Sequence, residues 1–348
     1  MKIRFLAIAL ILLTLQGFAQ TEKAQQLLKE GVELHDQGAF EKALAKYDEA
    51  LAENADYADA LYEKSFTLFQ SKKYKECADI SKQLLKNYPA SPTLKGVYVQ
   101  YGSALDVLGQ PKEAIKVYNT GLKQFPDYFL LNFNKAMTLA TLGETNKAYE
   151  CLQLALIANP FHASSYYRTA ELLKSTNHIP SILAGIMHLV LEPQSDRSAL
   201  SFKKLMGLMN GNVKKTGDHT TITLDAAMFP GKKASKHPDN FMMQEMLFTM
   251  SPALDKDSVM NSIAKTDIEK FDLRLQLLIN SLTENQQGFF SERYVPLFKK
   301  IKENNYSMIV SRLVFMNTAD ERNAMWVKVN PEKISEFYNW LKAYEWKK

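Results

Sequence analysis

A period of 34 residues runs through the first half of this chain, and it constrains the fold more than any other feature. "LHDQGAFEKALAKYDEAL" at 34–51 is answered 71 residues later by "LDVLGQPKEAIKVYNTGL" at 105–122. Windows of that length divide the chain into 24–57, 58–91, 95–128, 129–162 and 163–196, with three residues inserted before the third. Each window holds two helical patterns joined by a tight turn. The eighth position reads Gly31, Ser65, Gly102, Ala136, Ala170, and the twentieth reads Ala43, Cys77, Ala114, Ala148, Ile182. Antiparallel helices approach closely only where neither presents a bulky side chain. The fifteenth position reads Gly38, Lys72, Gly109, Gly143, Asn177. A left-handed residue is wanted where the first helix ends, which Gly or Asn supplies and Lys72 does not. Pro89, Pro126 and Pro160 stop the second helix of the middle windows. One helix pair cannot bury its apolar face alone, so a chain written this way must stack its pairs.

The pattern resembles the tetratricopeptide repeat, strongly in windows one, three and four and weakly in five, where Ile182 fills a small slot. The resemblance implies a helical solenoid of about five helix-turn-helix repeats over 24–196, and with the mostly helical C-terminal domain that the later residues spell out the expected fold is all-α. It also implies a concave groove lined by the first helix of each repeat. Its prominent side chains here are Tyr62, Phe66, Phe69 and Gln70, then Val99 and Asp106, then Phe133 and Met137, and lastly Tyr167 and Lys174. Such an apolar, aromatic lining suits an extended peptide or an amphipathic helix. The partner-binding residues expected from it are Tyr62, Phe66, Phe69, Gln70, Phe133, Met137 and Tyr167. The Lys and Asn clamp with which some family members grip a terminal carboxylate is absent, since its positions are held by Leu28, Val32, Glu63, Gly96 and Gln100.

The first residues read differently. Lys2 and Arg4 precede the apolar run "FLAIALILLTL" (Phe5 to Leu15), and Gly17 and Ala19 then stand two apart before Gln20. This is the pattern of a secretory signal over 1–19, cut between Ala19 and Gln20. Eleven apolar residues fall short of the roughly 20 that span a bilayer. The expectation is an exported protein with no transmembrane segment after cleavage, most simply periplasmic, with secretion or outer-membrane association left open. Cys77 and Cys151 lie two repeats apart along the stack, too far for a disulfide, and read as buried free thiols. Residues 20–196 carry eighteen Lys and Arg against twenty-one Asp and Glu, and residues 197–348 carry twenty-three against seventeen. An excess that small is far from a nucleic-acid binder, and nucleic acid is not expected as a partner.

After Asp196 the period stops. "SDRSALSFKKLMGLMNG" reads as a helix over 197–210 that seals the solenoid, with Leu200, Phe202, Leu205, Met206 and Met209 largely on one face. Residues 211–348 form the C-terminal domain. "TTITLD" (Thr220 to Asp225) alternates like a short strand, and "PGKKASKHP" is a basic loop. "TDIE" at 266–269 and "TADE" at 318–321 are capping boxes, and Asn330 with Pro331 starts the last helix.

No motif selects a chemistry. Met242, Met246 and Met250 share one helical face and could offer thioethers to Cu(I), but no other ligand pattern accompanies them and core filling is the commoner use. Six scattered histidines form no zinc pair, and there is no G-x-S-x-G elbow, phosphate-cradling loop or C-x-x-C. His219 beside Asp218 could serve acid–base work only if a nucleophile from elsewhere met them. No catalytic residue, metal or cofactor is therefore expected. The leading expectation is a non-catalytic exported adaptor binding a protein or peptide partner in a bacterial cell envelope. The alternative is an enzyme or ligand-binding C-terminal domain for which the repeats serve as a docking arm, and self-association is open.

Overall fold

A computed structural model describes residues 22–210, 213–216, 219–222, 239, 241–250, 262–283 and 287–347. The expected signal segment and the basic loop lie outside them. The chain forms two compact units, one up to Ala158 and the other from Asn159.

In the first unit four helix pairs follow the repeat windows: α1 (22–36) with α2 (Phe40–Glu53), α3 (Ala58–Gln70) with α4 (Tyr74–Asn87), α5 (Leu94–Val107) with α6 (Pro111–Gln124), and α7 (Phe129–Thr141) with α8 (Thr145–Ala158). From α2 onward each helix packs on the next, and α3 also touches α5, as α5 touches α7. The second helices bury a single stripe, Ala43, Leu44, Tyr47 and Ala50 in α2, which is the spacing of one helical face. The small eighth position has a definite occupant. At Gly31 and Gly102 any Cβ would overlap the ring of Tyr47 or Tyr118, the side chain of the second helix that fills the slot. Both tyrosines are fully buried.

Each first helix ends in the same closure. Gly38, Lys72, Gly109 and Gly143 are left-handed, with φ of 74°, 63°, 76° and 75°. The next N–H reaches back five residues, from Ala39 to Leu34, Lys73 to Leu68, Gln110 to Leu105 and Glu144 to Leu139. Lys72 thus adopts the conformation that its sequence disfavours. Asn177, expected to do so, does not, because its φ is −154°.

Asn177 lies in the second unit. That unit contains α9 (Ala163–Leu173), α10 (His178–Leu191), α11 (Asp196–Asn210), a hairpin of β1 (Val213–Thr216) and β2 (His219–Ile222), α12 (Met242–Met250), α13 (Asp267–Ser281), α14 (Phe289–Glu303), α15 (Ser307–Val314), a 3₁₀ turn (Phe315–Asn317), α16 (Glu321–Val329) and α17 (Pro331–Ala343). Every residue of α10 from Ile179 to Val190 is buried. A helix apolar all round is a core helix, and α9, α11, α12 and α15 all pack on it. Glu245 of α12 accepts hydrogen bonds from the N–H groups of His178 (2.9 Å) and Ile179 (3.5 Å). The orphan donors of α10 are therefore met from outside, while α9 closes on the Leu173 carbonyl, which accepts from the N–H groups of Thr176 (3.0 Å) and Asn177 (2.9 Å). Tyr338 of α17 donates to the Val190 carbonyl at 2.6 Å.

Other expectations are refined here. Thr266 and Glu269 form the expected capping box of α13. In "TADE" the cap is Asp320, which accepts from Asn323 N–H at 3.1 Å, while Thr318 bonds to Phe315. Asn330 precedes α17 but turns its amide to the Trp326 carbonyl instead of capping. Asp239 caps α14 from a remote segment, accepting from the N–H groups of Phe290 (3.1 Å) and Ser291 (2.8 Å). In α11 the buried stripe is Ser198, Ser201, Leu205 and Met209, and Leu200 is exposed. Core filling by methionine fails at Met242 and Met246, which are exposed while Phe241 and Phe248 turn inward. The side chain of Met250 lies outside the described residues.

Candidate functional site

The surface on which the expected partner-binding residues gather in the first unit is built by α1, α3, α5 and α7. A ladder of polar pairs stitches these helices together. His35 Nδ1 meets Thr67 Oγ1 at 2.7 Å, between α1 and α3. Ser65 Oγ donates to Gln100 Oε1, between α3 and α5. Ser103 Oγ donates to Asn134 Oδ1 at 3.4 Å, and Thr138 Oγ1 donates to Asp106 Oδ2 at 2.9 Å, both between α5 and α7. The ladder repeats with the sequence: His35 and Asp106 hold the twelfth position of windows one and three, and Thr67 and Thr138 hold the tenth of the next.

On this frame Phe66 is exposed to 36% and its ring stacks on His35, with centroids 5.0 Å apart and planes 30° from parallel. Tyr62 is half-buried, its ring occupying the space that a side chain at Gly96 would need. Burial raises its hydroxyl pKa, and Glu63 and Tyr128 add to the rise. Phe69 is half-buried, edge-on to Tyr74 at 5.3 Å and packed against the core around Tyr47, Leu68 and Cys77. Gln70 is exposed, whereas Phe133 and Met137 are half-buried. Val99 packs against the core at Leu105 and Tyr118. Three groups went unweighed in the sequence: His35, which supports Phe66, and the carboxylates of Asp36 and Asp59. Glu63 was read only as a missing clamp residue. Its carboxyl is pushed up first by burial and then by the charges of Asp59 and Asp36.

A separate shallow cleft of about 400 Å3 opens between the turns that join the repeats, with Tyr57, Tyr88, Pro89 and Pro92 among its walls. The three inserted residues of the third window begin at Pro92. Cys77 and Cys151 are free and buried, as expected, and burial pushes both thiols up, Cys77 to about 11. Neither is a nucleophile at neutral pH.

Tyr167 belongs to the second unit. Its ring lies 5.2 Å from that of His188, and Arg168, Arg197 and Lys204 stand 5.4, 6.0 and 5.9 Å from its centre. Arg197 also binds Glu192 through two nitrogens and Ser164 through a third. Lys174 shares Glu171 with Lys204. Burial pushes His188 and His162 down to about 4, so both are neutral at physiological pH. Glu192, held by Arg197, falls to about 2. The side chains of Asp218 and His219 lie outside the described residues. No group of three or more His, Cys, Asp or Glu among the described residues could hold a metal ion, and no described helix is long and apolar enough to cross a membrane.

Helix pairs of this period, closed by left-handed turns and packed through a small inter-helix slot, define a helical-repeat protein of the interaction type. Tetratricopeptide-repeat families match the chain at 34–100 and 131–162, and these stretches are tetratricopeptide repeats. Arrays of this kind are protein-interaction scaffolds. No curated protein matches the chain. Similar solved structures include TTC0263 of Thermus thermophilus, a thermophilic TPR protein, at 23% identity over 53% of this chain and 100% of that one, with a TM-score of 0.46. Another is PilF of Pseudomonas aeruginosa, at 18% identity over 54% of this chain and 84% of that one, with a TM-score of 0.47. YrrB, described as a TPR protein with an unusual peptide-binding site, has 22% identity over 51% of this chain and 90% of that one, with a TM-score of 0.38.

Proposed function

We propose that the protein is a non-catalytic adaptor, exported to the bacterial cell envelope, whose first unit binds a protein or peptide partner on the face made by α1, α3, α5 and α7. The observation that carries this reading is Phe66. A large aromatic ring stands exposed on His35, beside the polar ladder that joins α1, α3, α5 and α7. Such a ring gains by burial against a partner, as interface anchors do. Phe133 and Met137 on α7 extend the surface. Export is proposed from the signal pattern over 1–19, and the periplasm is the simplest destination.

The test is crosslinking in living cells that carry a tagged chain, with recovery from the envelope fraction. Alanine at both Phe66 and Phe133 is expected to abolish capture of a specific partner while circular dichroism shows unchanged helix content. Capture at the wild-type level by the double variant would overturn the groove. Mass analysis of the recovered protein should show cleavage between Ala19 and Gln20, and an intact N-terminus would overturn the export route.

A further inference from the structure

The second unit gathers positive charge around one ring. Arg168, Arg197 and Lys204 all stand within 6.0 Å of the centre of the Tyr167 ring. Arg168 follows Tyr167 on α9, whereas Arg197 and Lys204 come from α11, seven residues apart and so on one face of that helix. Lys174, just after α9, joins them through Glu171, whose Oε2 it shares with Lys204 at 3.5 and 2.6 Å. Arg197 also reaches Ser164 at 2.9 Å, which ties α11 to α9 and fixes the arrangement.

Like charges held this close repel one another unless they are balanced. The chain supplies two carboxylates: Glu192 takes Arg197, and Glu171 takes both lysines. Arg168 is exposed and has no carboxylate partner among the described residues. Four cations against two carboxylates leave two positive charges over, beside a half-buried ring. The ring attracts cations at its face, but it carries no net charge and cannot cancel theirs. Hydrogen-bonding capacity is left over as well. Each lysine ammonium has three donors, and the two meet at a single oxygen.

A compact ligand with two negative charges and several acceptor oxygens completes such a site. One carboxylate brings a single charge. A phosphate monoester brings about 1.5 to 2 at pH 7, with three acceptor oxygens, and a guanidinium fork matches their geometry. We propose that Arg168, Lys174 and Lys204, gathered around Tyr167, form a binding site for a phosphate monoester. Arg197 is a positioning residue, since its nitrogens are engaged by Glu192 and Ser164. The site belongs to the second unit and stands whether or not the first unit binds a peptide.

The test is calorimetric titration of the full chain with inorganic phosphate and with glycerol phosphate at constant ionic strength, beside succinate as a dicarboxylate. Both phosphates should bind once per chain, and succinate about tenfold more weakly. Arg168→Gln and Lys174→Gln, at exposed positions, should each weaken phosphate by about tenfold, and Arg168→Lys should lose less. Lys82→Gln removes the same charge from an exposed position of the first unit and should change nothing. As a second readout, phosphate should raise the urea midpoint of the wild type more than that of Arg168→Gln. Sedimentation with vesicles of phosphatidic acid, whose headgroup is a monoester, against phosphatidylglycerol, a diester, identifies the source. Selective sedimentation with phosphatidic acid places the monoester on a lipid, and phosphate binding without sedimentation places it on a soluble ligand. No saturable phosphate binding, succinate binding as tightly as phosphate, or an equal loss in Lys82→Gln would overturn the site.

Discussion

Lys72 shows how firmly one residue can be held against its own preference. The turns at Gly38, Gly109 and Gly143 are left-handed at no steric cost, whereas a Cβ in that region is disfavoured by about 1 kcal/mol. The chain tolerates this because the back-bond from Lys73 to Leu68 and the packing of α3 on α4 fix the turn. Lys72 is exposed, so nothing else depends on its side chain. Lys72→Gly should stabilise the first unit by about 0.5–1 kcal/mol, read as a rise in the urea midpoint followed by circular dichroism, and a fall would show that the turn is not the constraint. The slot at Gly102 tests the converse, since Tyr118 already fills it. Gly102→Ala should cost about 1–3 kcal/mol by overpacking. Adding Tyr118→Leu, which copies the Ala136 and Leu152 pairing of the fourth repeat, should recover most of that loss in a double-mutant cycle. Additive losses would mean that the two side chains do not share one space. The small residue was legible in the sequence. Its bulky complement sixteen positions later was not, because a pattern of small residues records the hole and not what enters it.

At the level of the helix, the first four pairs were readable because each buries one stripe and leaves the other face in water. The fifth was faint for a physical reason. Once α11, α12 and α15 cover α10, its outer positions are selected for apolar bulk, and the alternation that marks a surface helix disappears. Ile182 in the small slot is a trace of that burial. The cap on α10 is equally non-local, coming from a residue 67 positions away. Sequence found the cap of α13, where Thr266 and Glu269 are three apart, and could not find those supplied by Glu245 or Asp239. Glu245→Ala should lower stability by about 1–2 kcal/mol, seen as faster amide exchange at Ile179 to Leu183, and unchanged exchange there would remove Glu245 from that role. On the candidate site, the aromatic positions were legible from the repeat phase. His35 was passed over because its place against Phe66 depends on how α1 packs on α3, which residue spacing does not record.

For the whole molecule, all three tryptophans, Trp326, Trp340 and Trp346, fall in the second unit, so their fluorescence reports on that unit directly. His188 and His162 also belong to it, and both bind a proton more readily unfolded than folded. A base whose folded pKa is depressed contributes stability that is complete above its unfolded value of 6.5 and declines as pH falls toward about 4. For the fully buried His188 the whole span is worth about 3 kcal/mol, and the half-buried His162 adds less. Glu192 stays ionised throughout that window, because Arg197 holds it near 2. The urea midpoint by tryptophan fluorescence should therefore drop steadily between pH 7 and pH 4.5, and His188→Phe should flatten the slope. A midpoint independent of pH across that window would rule the buried histidines out as its source.

The enclosure of α10 also bears on how a chain of this kind can change over generations. Repeat arrays usually lengthen and shorten by duplication and loss, since any unit can stand where another stood. A unit whose second helix is walled in by unrelated elements has surrendered that interchangeability. Growth or trimming of the array is open through the four pairs before it, and closed at the fifth.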